Sequence, residues 1–248
     1  MSGAPPLVLV AHGSRTPRGA QAAAAIADAV RERRPGTVVR LAHLSHGTPS
    51  LPDALTALAV EGARSAVVVP LLLSTGVHAA VDIDRAVASA RGAHPGLTVR
   101  AVGALGPDAL LVAAVRDRLG QAGAEPRAGL TVILAAAGST DPDGLADVGR
   151  AAAMLQELAP YDTVGVAFVG GADPDLADAI AAVRSRGVTT IAVVPYLLGD
   201  GHFADIVRAS ADEAVLVTAP LGAHDNVIAL VLARYDAAAA ALPVGAGS

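Results

Sequence analysis

Three histidines stand where short apolar runs give out. The run Leu7-Val8-Leu9-Val10-Ala11 passes directly into His12-Gly13-Ser14-Arg15, His46 lies two residues past Leu44, and His78 lies five past Leu73. Neutral imidazole binds borderline first-row divalent metals such as Fe(II), Co(II), Ni(II) and Zn(II), and it accepts protons near neutral pH. The chain has no cysteine, which excludes disulfides and thiolate metal sites. No group of carboxylates is spaced as a hard cation would require. Two or three imidazoles leave coordination positions open, which suits a metal held in passing rather than a closed structural site. All 18 basic residues are arginine, so an anion must be met by guanidinium, backbone or imidazole.

The elements that must position these residues alternate. Apolar runs predict strands at 7–11, 37–44, 66–73 and 98–102, and Ala-rich stretches with helical spacing predict helices at 18–33, 51–63, 82–93 and 108–119. Ser50 is the expected N-cap ahead of Leu51-Pro52. The strands are apolar throughout rather than alternating, the mark of a parallel sheet covered on both faces. Strand–helix–strand alternation then implies right-handed crossovers and a doubly wound α/β fold. In such sheets ligands bind beyond the carboxyl ends of the strands, which is where His12, His46 and His78 fall. His78 is expected in the loop after the third strand. His43 is expected within the second strand, His94 at a helix end, and His224 exposed near the start of the last helix.

The chain also repeats itself. Pro70-Leu71-Leu72-Leu73 recurs as Pro195-Tyr196-Leu197-Leu198, 125 positions on, and the same offset sets Gly13-Ser14 on Gly138-Ser139 and Pro49 on Pro174. Asp82-Ile83 and Leu105-Gly106 recur at shorter offsets as Asp205-Ile206 and Leu221-Gly222. Strands of the second copy are expected at 131–136, 163–169, 190–197 and 215–218. The Gly-rich stretch 120–129 reads as the linker, giving a first repeat at 1–122 that carries the histidines and a second at 129–242. In the second copy Ala137 replaces His12 and Gly171 replaces His46, while His202 falls near His78. A single metal site is therefore expected. Its ligands would come from the first repeat, and the second would supply a binding wall across a central cleft.

Bulk properties narrow the class further. At 53% apolar residues and a net charge of -5 the chain is expected to be globular, with no basic stripe for nucleic acid. The first residues, Met1 to Pro6, lack the pattern of a signal peptide. The longest uncharged apolar stretch, from Ser65 to Val81, is broken by Pro70, Gly76 and His78 and falls short of the ~20 residues a membrane span needs. A soluble, cytoplasmic protein is expected.

His12-Gly13-Ser14-Arg15, the Pro70-Leu71-Leu72-Leu73 run, and Gly76-Val77-His78 with Asp82-Ile83 together resemble the class II tetrapyrrole chelatases, most closely the CbiX/SirB-type sirohydrochlorin chelatases in their long, duplicated form. The resemblance implies a lyase-type enzyme that inserts a divalent metal into sirohydrochlorin. Fe(II), giving sirohaem, is the expected metal, and Co(II), giving a cobalamin precursor, is the alternative. The metal is a substrate; no permanently bound cofactor is implied. The family's two metal-binding histidines carry over to His12 and His78. These would hold the metal beside the ring and accept the two protons that insertion releases. Sirohydrochlorin is a polycarboxylate, so Ser14, Arg15, His46 and His202 are candidate substrate contacts, with Gly76 allowing close approach of the flat ring. Ser14 and Ser139 also suit helix capping. Duplication removes the need to dimerise, and a monomer is expected. The chain departs from the family pattern at Ser45, where many relatives carry Glu. Serine supplies no carboxylate base, which leaves His46 next to it as the available substitute.

Two other readings compete. A His-Gly pair after the first strand also fits phosphatases that form a phosphohistidine, but those need Arg directly before the pair, where this chain has Ala11. A carrier of the same fold would bind metal or tetrapyrrole without accelerating insertion, and Ser45 favours it over a more typical member.

Overall fold

The computed structural model describes residues 4–242; the first three residues, part of the stretch read against a signal peptide, lie outside it. Eight strands and eight helices alternate through the described residues. The first repeat runs β1 (Leu7–Ala11), α1 (Pro17–Arg33), β2 (Val39–His43), α2 (Leu51–Val60), β3 (Ser65–Pro70), α3 (Val77–Ala93), β4 (Thr98–Ala101) and α4 (Ala109–Gln121). The second runs β5 (Leu130–Ala136), α5 (Pro142–Leu158), β6 (Thr163–Phe168), α6 (Leu176–Ser185), β7 (Thr190–Pro195), α7 (His202–Ser210), β8 (Val215–Val217) and α8 (Asp225–Ala240). All pairings are parallel, and the strand orders are β2-β1-β3-β4 and β6-β5-β7-β8. The chain moves from β1 outward to β2, then returns to the other side of β1 to lay down β3. The switch point of the first sheet therefore lies between β1 and β3, and that of the second between β5 and β7.

The sequence explains the elements closely. Every residue of β1 is buried, as a central strand covered on both faces requires. Val8, Val10 and Val68 pack on Leu51, Leu55 and Leu58 of α2 and on Ile83 and Val87 of α3. Helix α1 starts where Thr16 accepts from the Gly19 N–H, with Pro17 in the first turn. Ser50 caps α2 as expected, accepting from the Asp53 N–H at 3.3 Å.

Some boundaries differ from expectation. Strand β3 ends at Pro70, three residues short of Leu73, where its pairing with β1 stops at Val10. Helix α3 begins at Val77, five residues before the apolar periodicity suggests. Its first turns carry exposed Val77 and Val81, and the buried face begins only at Ile83, so the pattern started late. Its N-cap, Gly76, makes no side-chain cap bond that a sequence signal could report.

The compact units do not coincide with the repeats. One unit holds residues up to Leu105 together with those from Ile228 onward, and the other holds Gly106–Val227. Helix α4, the last of the first repeat, thus belongs with the second sheet, where it packs on α5 and β7. Most of α8 belongs with the first sheet: the Tyr235 hydroxyl donates to the Pro5 carbonyl at 2.7 Å, and Arg34 pairs with Asp236. The two helices are seated alike. Arg118 on α4 donates to the Leu221 carbonyl at 2.7 Å, and Arg234 on α8 donates to the Leu105 carbonyl at 3.4 Å. Both arginines and both leucines are separated by the same 116 positions. That offset also sets buried Leu111, Val112, Ala114 and Val115 on buried Val227, Ile228, Leu230 and Val231.

The same offset pairs Asp108 with His224. Asp108 caps α4 through the Leu110 N–H, and His224 Nδ1 accepts from the Asn226 N–H at 3.2 Å. Its Nε2 lies 3.6 Å from Asp117, and the side chain is only 11% exposed. The expectation of an exposed His224 is therefore wrong: the ring is held between a helix start and a carboxylate that local sequence does not reveal.

Candidate functional site

Two loops build the first sheet's carboxyl edge as one block. The β1–β2 ladder continues past its strands, with the Leu44 N–H donating to the Ala11 carbonyl and the Ser45 N–H to the His12 carbonyl, at 3.0 and 2.9 Å. The Ser45 hydroxyl donates to the same His12 carbonyl at 2.9 Å. Gly13 sits at φ +103°, and a Cβ there would fall 1.6 Å from the Ser45 carbonyl oxygen. Glycine at 13 thus serves loop against loop, leaving no room for any side chain. Ser45, where the family pattern places Glu, is occupied in bracing the His12 backbone.

His12 leaves β1 exposed above this block. His78 is not in a loop as expected but is the second residue of α3, also exposed, and it follows β3, the neighbour of β1 across the switch point. Among the described residues no hydrogen bond or ion pair engages either ring, and no group of three or more His, Asp or Glu is gathered that could hold a metal ion. Gly76 caps α3 in an extended conformation, with nothing within 4 Å of an added Cβ. The protein's own packing does not require glycine there.

His46 adopts φ +46°, the one non-glycine residue at positive φ among those described. Its counterpart Gly171 has φ +78°. The turn demands a left-handed residue, and the first repeat fills it with histidine. The Arg15 Nε–H donates to His46 Nε2 at 3.4 Å. Ser14 does not cap α1; its hydroxyl accepts from the Thr16 N–H at 3.2 Å, just as Ser139 accepts from the Asp141 N–H ahead of α5. Each serine holds the turn that presents the true cap, Thr16 or Asp141. His43 ends β2 half-buried, its ring lying under Gly47.

The second sheet's edge is different chemistry on the same frame. Gly138 and Gly170 cross as Gly13 and Ser45 do, a Cβ on Gly170 falling 2.1 Å from the Ala137 carbonyl oxygen. His202 opens α7 after its N-cap Gly201, and Phe203 takes the second helical position that His78 holds in α3. Both are exposed, Phe203 by 40%, with ring centroids 5.6 Å apart. Where the first repeat has Leu71 and Ala22, the second has buried Tyr196 and Asp147. Burial, then the carboxylates of Asp147 and Asp108, push the Tyr196 hydroxyl far above its ordinary value. Sequence reasoning missed this polar pair; its signal was a Leu-to-Tyr difference between otherwise matching Pro-X-Leu-Leu runs.

Known proteins carry the same frame. The CbiX family pattern matches residues 6–122 and 131–238, once per repeat. A sirohydrochlorin ferrochelatase of Bacillus subtilis is 29% identical over 241 residues, covering 94% of this chain and 92% of that one. The structure of SirB from Bacillus subtilis with Fe3+ superposes with a TM-score of 0.85 at 28% identity, covering 96% of each chain. SirB from Bacillus subtilis subspecies spizizenii in complex with cobalt gives 0.81 at 26% identity, again over 96% of each. With both repeats matched over most of their length, the chain belongs to the CbiX family, in its duplicated, SirB-like form.

Proposed function

We propose that the protein is a sirohydrochlorin chelatase that inserts Fe(II) into the ring, with Co(II) as the alternative metal. One observation carries the reading: the two exposed, unbonded imidazoles follow the two strands that flank the switch point of the first sheet, His12 directly after β1 and His78 at the start of α3 after β3. The similar ferrochelatase and the cobalt-bound relative agree with this chemistry and with either metal.

In this reading His12 and His78 offer neutral nitrogens to the incoming metal while other coordination positions stay open for the pyrroles. Insertion releases two pyrrolic protons, and the imidazole nitrogens, freed as the metal passes into the ring, would be their acceptors. Ser45 supplies no carboxylate base, so proton transfer falls to histidine. Ser14 and Arg15 border the same edge, and bare Gly76 lets a flat ring approach the start of α3.

The test is an anaerobic absorbance time course with sirohydrochlorin and Fe(II), Co(II) or Ni(II) in turn. Insertion should exceed the protein-free rate, and His12→Ala and His78→Ala should each lower it at least ~100-fold, the smaller end of what a positioned acid–base group contributes. Ring or metal binding without any gain in rate would instead identify a carrier.

A further inference from the structure

We propose that His46 positions the Arg15 guanidinium as a clamp for a side-chain carboxylate of the ring; the proposal deepens the chelatase reading and rests on it. The argument begins with backbone conformation. The turn after β2 needs a left-handed residue, and its repeat counterpart supplies Gly171 at φ +78°. An L-residue there is disfavoured, so His46 at φ +46° carries a cost that folding alone does not require. What the ring gains is contact with Arg15, whose Nε–H donates to His46 Nε2 at 3.4 Å. By accepting at Nε2, His46 holds the Nε edge of the guanidinium and so orients its terminal nitrogens.

Arg15 is exposed, and among the described residues His46 is its polar partner; no carboxylate pairs with it. Its terminal nitrogens therefore remain available as a fork. The two residues stand on different loops, which the Ser45–His12 backbone bond and the crossing of Gly13 under the Ser45 carbonyl join. A clamp built on that block keeps a constant place relative to His12. The second repeat has Thr140 and Gly171 at the corresponding positions, so the device belongs to the edge that bears the histidines. A guanidinium fork recognises a carboxylate, and sirohydrochlorin carries these on short flexible arms. The clamp would orient the ring over His12 without touching the metal.

The experiment measures affinity for metal-free sirohydrochlorin and for its fully methyl-esterified form in the wild type, His46→Gly, Arg15→Ala and the double variant, alongside thermal melting. His46→Gly should melt at or up to ~3 °C above the wild type, because glycine relieves the turn. Each single variant should bind the free-acid ring ~10-fold more weakly, the scale of one charge-assisted hydrogen bond. The double variant should lose little more than either single, and all four proteins should bind the ester alike. Unchanged free-acid binding in the variants, equal losses for acid and ester, or a lowered melting temperature in His46→Gly would overturn the clamp while leaving the chelatase reading intact. Failure of the wild type to bind sirohydrochlorin at all would overturn both.

Discussion

Gly13 and Gly76 border the same edge yet answer to different constraints. Gly13 faces a carbonyl oxygen at 1.6 Å from any added Cβ and sits at φ +103°, whereas Gly76 is extended with open space around it. Gly13→Ala should therefore destabilise the fold by about 2–4 kcal/mol, the combined scale of a forced positive φ and overpacking, as read from urea denaturation. Gly76→Ala should leave the same curve unchanged within about 0.5 kcal/mol. Any fall in ring affinity in that variant then reports on substrate approach rather than folding. At this scale the sequence reveals residues whose meaning depends on where a strand ends: His12 follows an unbroken apolar run and needs no tertiary knowledge. His46 is different, because its backbone conformation becomes visible only when Gly171 in the other repeat is set beside it.

At the scale of elements, the two exchanged helices share one docking device. Arg118→Met should cost roughly 1–3 kcal/mol, since it leaves the buried Leu221 carbonyl without its donor, and Arg234→Met should cost less because its bond to Leu105 is longer. Chemical denaturation of the two variants checks the order. A second element contact responds to acid. The Arg184 guanidinium donates to both oxygens of Asp212 and holds that carboxyl down at about 2, below its usual 3.8. Because the folded value is depressed, the pair's contribution is complete above about pH 4 and disappears as the pH falls through about 2. The pair is solvent-exposed, so the effect should be small and weaken with salt. Asp212→Asn should flatten the pH dependence of the melting temperature within that window. Element type was legible throughout because each repeat alternates short, continuously apolar runs with helical spacing. The start of α3 was not, because exposed Val77 and Val81 blur the amphipathic boundary and Gly76 gives no side-chain cap to read.

For the molecule as a whole, the sequence repeat and the folded unit are different divisions of one chain. The repeat is visible in matching motifs, but the crossings after Leu105 and before Ile228 are not. They depend on long-range seats for α4 and α8, whose clue was an offset of 116 rather than 125. Among the described residues no helix is long and apolar enough to cross a membrane. The exchange has a consequence for the linker at 122–129. A protease that nicks the chain there would separate the repeats but not the units. The amino-terminal fragment would retain the helix that covers α5 and β7, and the carboxyl-terminal fragment the helix tied to Pro5 and Leu105. The nicked protein should elute as one species in native buffer and as two bands after denaturation. By the same logic, half-length genes expressed together should complement one another, and each alone should yield a chain with an uncovered sheet that is prone to aggregate.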